Sequence, residues 1–161
     1  MNRLRLAGSL IAGFLCVAGM ASLAAPKPDF SGTWVLNLKK SKLQIQEKLD
    51  RASFTIDHKD PAFHFSRVFI VGGREDALAY DLTTDGKEKV VKEPGRTTTS
   101  RLYWDGDVLV LDERIVLKDG REVTNVVRYS LQDGGRTLVA EEKFRGPFHK
   151  HDNLWVADRK T

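Results

Sequence analysis

Two carboxylates stand out in the second half of the chain because each breaks an apolar row. From Asp107 to Leu117, the side chains of Leu109, Leu111, Ile115 and Leu117 share one phase of an alternating pattern, and Glu113 falls in that phase. From Arg136 to Phe144, Leu138, Ala140 and Phe144 share a phase with Glu142. A carboxylate on an apolar face is costly to bury unless something pairs with it, so each Glu is a candidate for a contact rather than for packing. Four further polar side chains sit in apolar rows: His58 with Phe54 and Ile56, Tyr80 between Leu78 and Leu82, and Asn125 and Tyr129 among Val123, Val127 and Leu131. His58, Tyr80, Glu113, Asn125, Tyr129 and Glu142 are therefore the candidate ligand contacts. Arg101 and Arg128 point outward in the same register.

Other chemistry is thinner. Two acids facing one another can hydrolyse glycosides, but two acids on separate segments specify no such reaction. His149 and His151 have the i, i+2 spacing that puts both on one face of a strand. A zinc site needs at least a third protein ligand, which nothing nearby supplies, so structural or exposed histidines are expected and no metal. The one cysteine lies near the N-terminus. The sequence has no Gly-x-Ser-x-Gly elbow, phosphate-binding glycine loop or His-Glu-x-x-His. No catalytic residue and no cofactor are expected, and the reading is non-enzymatic.

The N-terminus reads as an export signal. Arg3 and Arg5 precede an apolar stretch from Leu6 to Met20, followed by Ala21-Ser22-Leu23-Ala24-Ala25. A positive start, an apolar centre and small residues at a cleavage site make up a secretory signal peptide. Small side chains are needed one and three positions before the cut, and Ser22 and Ala24 place it after Ala24. The apolar stretch is short of the roughly 20 residues that span a bilayer. A lipid anchor on Cys16 is disfavoured by bulky Phe14 and Leu15 before it. The expected organisation is a signal peptide over 1–24 and a single domain over 25–161, delivered to the periplasm or secreted.

The whole chain carries 26 Lys and Arg against 22 Asp and Glu. Losing Arg3 and Arg5 with the signal leaves a net charge of about +2, too mild and too scattered to imply nucleic acid. The exported domain would also have no cysteine, so its stability has to come from an apolar core.

That domain reads as a string of short strands. Alternating segments cover Phe30 to Leu36, the surroundings of Phe54 to His58, Phe63 and Phe65, Leu78 to Leu82, and Glu88 to Lys92. The second half continues over Thr97 to Trp104, Asp107 to Leu117, Arg121 to Leu131, Arg136 to Phe144 and Lys150 to Ala157. Asp105-Gly106, Asp119-Gly120 and Asp133-Gly134 separate successive strands, and Asp-Gly favours tight hairpins. With no room for crossover helices, the result is an antiparallel meander of about nine or ten strands. Closing such a meander into a barrel removes its edges, and an open sandwich is the rival. Lys39 to Leu49 lacks Gly and Pro and is expected to form a short helical turn, or else an irregular lid.

The segment Phe30-Ser31-Gly32-Thr33-Trp34-Val35-Leu36-Asn37, with Lys40-Ser41 after it, resembles the opening of lipocalin-like (calycin) proteins, and particularly small exported bacterial ones. The resemblance implies an all-β fold, an antiparallel up-and-down β-barrel of about 8–10 strands. It also implies structural roles: Gly32 allows close packing at the barrel base, Trp34 plugs the closed end, and Arg159 lies over the Trp34 ring. The interior would accept a small apolar or amphipathic molecule. That expectation, with no nucleic acid, no membrane span after cleavage and no protein partner identified, competes with a structural or protein-interaction module whose core is filled. Cavity volume decides between them.

Overall fold

The computed structural model describes residues 26–44 and 48–161. The expected signal peptide, residues 1–24, lies outside the described residues. Ten strands follow one another: β1 (Gly32–Leu36), β2 (Leu49–Lys59), β3 (Ala62–Val71), β4 (Arg74–Thr83), β5 (Asp85–Glu93), β6 (Arg96–Asp105), β7 (Val108–Leu117), β8 (Glu122–Gln132), β9 (Thr137–Arg145) and β10 (Lys150–Arg159). They form one antiparallel sheet in the order β4-β3-β2-β1-β10-β9-β8-β7-β6-β5. Every neighbouring pair except β1–β10 is consecutive in sequence, so the expected meander is closed where the first strand meets the last. The sheet is continuous, which makes it a nearly closed barrel and not two packed layers. Among the described residues β4 and β5 share no ladder, although Thr84 alone connects them.

The alternation in sequence becomes the two faces of the barrel wall, because successive side chains of a strand point to opposite sides. Leu109 and Leu111 of β7, Val127 and Tyr129 of β8, and Leu138 and Ala140 of β9 are all buried in one core. On the other face Arg101 pairs with Asp112 at 3.1 Å, and Arg128 with Asp105 at 2.8 Å. Both arginines point outward, as their register requires. Gly106 takes the positive φ of 62° that the β6–β7 hairpin needs.

One end of the barrel is plugged. Phe30 and Trp34 are fully buried there, and the Trp34 indole Nε1 donates to the Phe30 carbonyl at 3.1 Å. The Arg159 guanidinium lies 4.2 Å above the Trp34 ring. It also donates to the Gly135 carbonyl at 2.9 Å and to the Ser31 carbonyl. Gly32 has φ +135°, and a Cβ there would stand 2.5 Å from Arg159 Nη1, so only glycine lets the guanidinium settle over the indole. All three structural roles implied by the family resemblance are therefore occupied by the expected residues.

The helical turn expected over Lys39 to Leu49 is not what forms. Leu49 already belongs to β2, and no described residue of the segment is helical; residues 45–47 lie outside the description. β1 ends at Leu36 and pairs only with Arg159, Asp158 and Ala157 of β10, leaving the rest of that β10 edge open. The chain after β1 covers it. The Ser41 hydroxyl accepts from the Val156 amide at 3.0 Å, Lys42 and Leu154 exchange backbone bonds of 2.8 Å, and the Gln44 amide donates to Asn153 Oδ1 at 2.7 Å. Satisfying these backbone groups outweighs the modest helix propensity of the segment.

Candidate ligand-binding cavity

Above the plug the barrel is hollow. A cavity of about 250 Å³ lies between β2, β3 and β4 on one side and β7 to β10 on the other. Its aromatic wall comes from alternate residues of β2 and β3. Phe54 contacts Phe65 and Phe69 at ring separations of 6.1 and 5.9 Å. Phe69 stacks on Trp155 at 5.5 Å, and Phe65 on Tyr80 at 5.0 Å. Leu111, Leu138 and Ala157 line the part nearer the plug.

Five of the six side chains expected as ligand contacts line this cavity: Tyr80, Glu113, Asn125, Tyr129 and Glu142. The antiparallel register sets Glu113 of β7 opposite Asn125 of β8, and Glu142 of β9 opposite Val127, the next inward residue along β8. The two acids are thus neighbours on one polar patch facing the aromatic wall. Ser100 Oγ donates to Glu113 Oε1 at 2.9 Å, and Asn125 Nδ2 approaches Oε2 at 3.5 Å. That leaves Asn125 Oδ1 buried with no hydrogen-bond partner. Glu142 Oε2 accepts from Asn153 Nδ2 at 2.7 Å and Trp155 Nε1 at 2.9 Å, with His151 Nε2 at 3.7 Å. The side chains of Tyr80 and Tyr129 both line the void. Burial holds both phenols above their ordinary range, and the nearby charge of Glu113 pushes each further the same way.

His58 is the exception. Its side chain faces inward, as its phase requires, but it belongs to the plug and does not line the cavity. Its ring lies 6.1 Å from Phe30, 5.8 Å from Trp104 and 5.7 Å from Phe63, and its Nδ1 accepts from the Phe30 amide at 3.4 Å. Alternation gives the face of a residue but not its height along the barrel, and His58 is too near the closed end to touch the void.

Sequence reasoning passed over Arg67. It continues the phase of Phe63 and Phe65 on β3 and borders the cavity, with its guanidinium 4.1 Å above the Phe69 ring and 2.9 Å from Asp76 Oδ2. The i+2 spacing Phe63, Phe65, Arg67, Phe69 was the signal that could have found it. His149 and His151 both stack with Phe144, at 5.1 and 4.7 Å. Among the described residues no three His, Cys, Asp or Glu side chains are grouped as a metal site.

No protein-family model matches the sequence, and no curated protein matches it. Solved structures do resemble it. Human cRBP IV aligns with a TM-score of 0.52 at 19% identity, covering 83% of this chain and 99% of that one. The zebrafish ileal bile acid-binding protein, solved with cholic acid, gives 0.52 at 11% identity over 81% and 98%. A secretory abundant heat soluble protein of Ramazzottius varieornatus gives 0.54 at 10% identity over 81% and 94%. Identities this low speak to architecture alone, and with the occupied Gly32, Trp34 and Arg159 positions they establish that the chain has the lipocalin-like (calycin) β-barrel fold.

Proposed function

We propose that this is an exported, non-enzymatic binding protein that carries one small apolar or amphipathic molecule in its barrel. The observation behind this reading is the cavity of about 250 Å³. A core evolved only for packing is filled to crystal-like density, whereas a ligand site is an apolar hollow with a few convergent polar groups. Here the apolar part is Phe54, Phe65, Phe69 and Trp155, and the polar part is Tyr80, Glu113, Asn125, Tyr129 and Glu142. The volume falls just below the roughly 300–1,000 Å³ of drug-sized sites, so the ligand is a short chain or a compact ring. The solved structure with cholic acid supports the reading to the extent that this fold can hold an amphipathic guest. Export to the periplasm or beyond rests on the N-terminal pattern ending at Ala24.

Native and denaturing mass spectrometry of the purified protein, prepared without detergent, tests both parts. The expected result is a chain beginning at Ala25 whose native mass exceeds its denatured mass by one small ligand, or does so after incubation with amphiphiles. A bare native mass under all these conditions would overturn the binding role, and an intact Met1 in the exported fraction would overturn the cleavage.

A further inference from the structure

We propose that the guest is a small amphipathic amine, held as its ammonium ion, and not a carboxylic acid; this rests on the cavity being the binding site described above. The charges and hydrogen-bonding groups around the void favour a cation. Its charged or titratable neighbours are Arg67 and Asp76 from β3 and β4, Tyr80 from β4, Glu113 from β7, Tyr129 from β8, Glu142 from β9 and His151 from β10. Arg67 and Asp76 form an ion pair at 2.9 Å and cancel. Among the described residues no Lys or Arg pairs with Glu113 or Glu142. Glu113 is held only by the neutral donors Ser100 and Asn125. The void therefore faces an excess of negative charge.

The hydrogen-bond count points the same way. An ionised carboxylate only accepts, and the Asn125 oxygen beside Glu113 is a buried acceptor with nothing donating to it. The β7–β9 side of the wall thus has acceptors to spare, while the donors of Arg67 lie on β3, where its guanidinium is ion-paired with Asp76. A guest carboxylate would bring further acceptors and a like charge, which raises the cost of placing it there. An ammonium brings up to three donors and no acceptor. Its alkyl part would rest against Phe54, Phe65 and Trp155, whose faces also attract a cation.

The test is a matched series in calorimetry with the purified full chain at neutral pH: octylamine, octanol and octanoate, which differ only in head group. Octylamine is an ammonium under these conditions, since simple amines titrate near 10. Octylamine is expected to bind at least about tenfold tighter than octanol, and octanoate weaker than octanol. Glu113→Gln should remove most of the amine preference, bringing octylamine and octanol to within about twofold of each other, and a parent-like urea unfolding curve shows that the variant is folded. Equal binding of amine and alcohol would overturn the ammonium site but keep the cavity as an apolar one. Tightest binding of octanoate would overturn it too, and would make Arg67 the counter-ion, freed from Asp76. Failure of all three to bind would overturn the binding role itself.

Discussion

Arg159 does at the closed end what no other side chain type could. Its flat guanidinium stacks on Trp34 at 4.2 Å while its edge donates to the carbonyls of Ser31 and Gly135. A lysine carries the same charge as a point, without the plane that stacks or the fork that reaches two acceptors. Arg159→Lys is therefore expected to destabilise the barrel by about 1–2 kcal/mol, from the lost stacking and one unmade bond. Urea unfolding checks this, and a loss under about 0.5 kcal/mol would reduce the contact to an ornament of the surface. This role was legible in sequence only through the family resemblance, because Arg159 is separated from Gly32 and Trp34 by most of the chain. Glu113, Asn125, Tyr129 and Glu142 were legible for a different reason. Each is polar in an apolar row, and the strands carrying them run without a bulge, so the phase holds from end to end. His58 kept its phase yet missed the cavity, because a strand pattern says nothing of depth.

At the scale of elements, the turns were the readable part: Asp-Gly pairs and alternation place the strands of the second half to within a residue or two. The segment after β1 was not readable, since what decides its conformation is the open edge of β10, more than 100 residues away, and no local pattern reports that edge. A second long-range tie joins three elements at the plug. Asp60, in the β2–β3 turn, accepts from Trp104 Nε1 of β6 at 3.1 Å and from the Thr84 hydroxyl between β4 and β5. These bonds, from Thr84 first and Trp104 second, hold its carboxyl below the ordinary value. A lowered folded value means stability that is fully present above the unfolded value, near 4, and is lost as pH falls through the folded one. Asp60→Asn keeps an acceptor oxygen for both donors but removes the charge. It should therefore melt below the parent at pH 7, and the gap should close as pH falls through the lowered folded value, below the ordinary carboxylate range. Thermal melts of the pair across that range measure it; a gap that persists at low pH would show that shape, not charge, is what Asp60 supplies.

For the whole molecule the question is whether the barrel gives up packing in order to hold a guest. An interior void forfeits dispersion contacts on every side chain that lines it, so a protein selected for stability alone should fill it. Ala140 offers a direct way to ask. It is 7% exposed, borders the cavity, and stands opposite Tyr129 of β8 and Trp155 of β10. Ala140→Leu adds three carbons directed into the hollow. If the space is free, each methylene buried is worth about 0.8 kcal/mol, so the gain in stability should reach about 1–2 kcal/mol. The same carbons occupy the volume a guest needs, so affinity for an octyl ligand should fall by about tenfold or more. Stability and binding then move in opposite directions, which no filled core would allow. In a filled core the added carbons would overpack the site and cost about 1–3 kcal/mol. Urea unfolding of the parent and variant, with calorimetry on the same two samples, therefore separates a carrier from a packed module by the sign of one stability change.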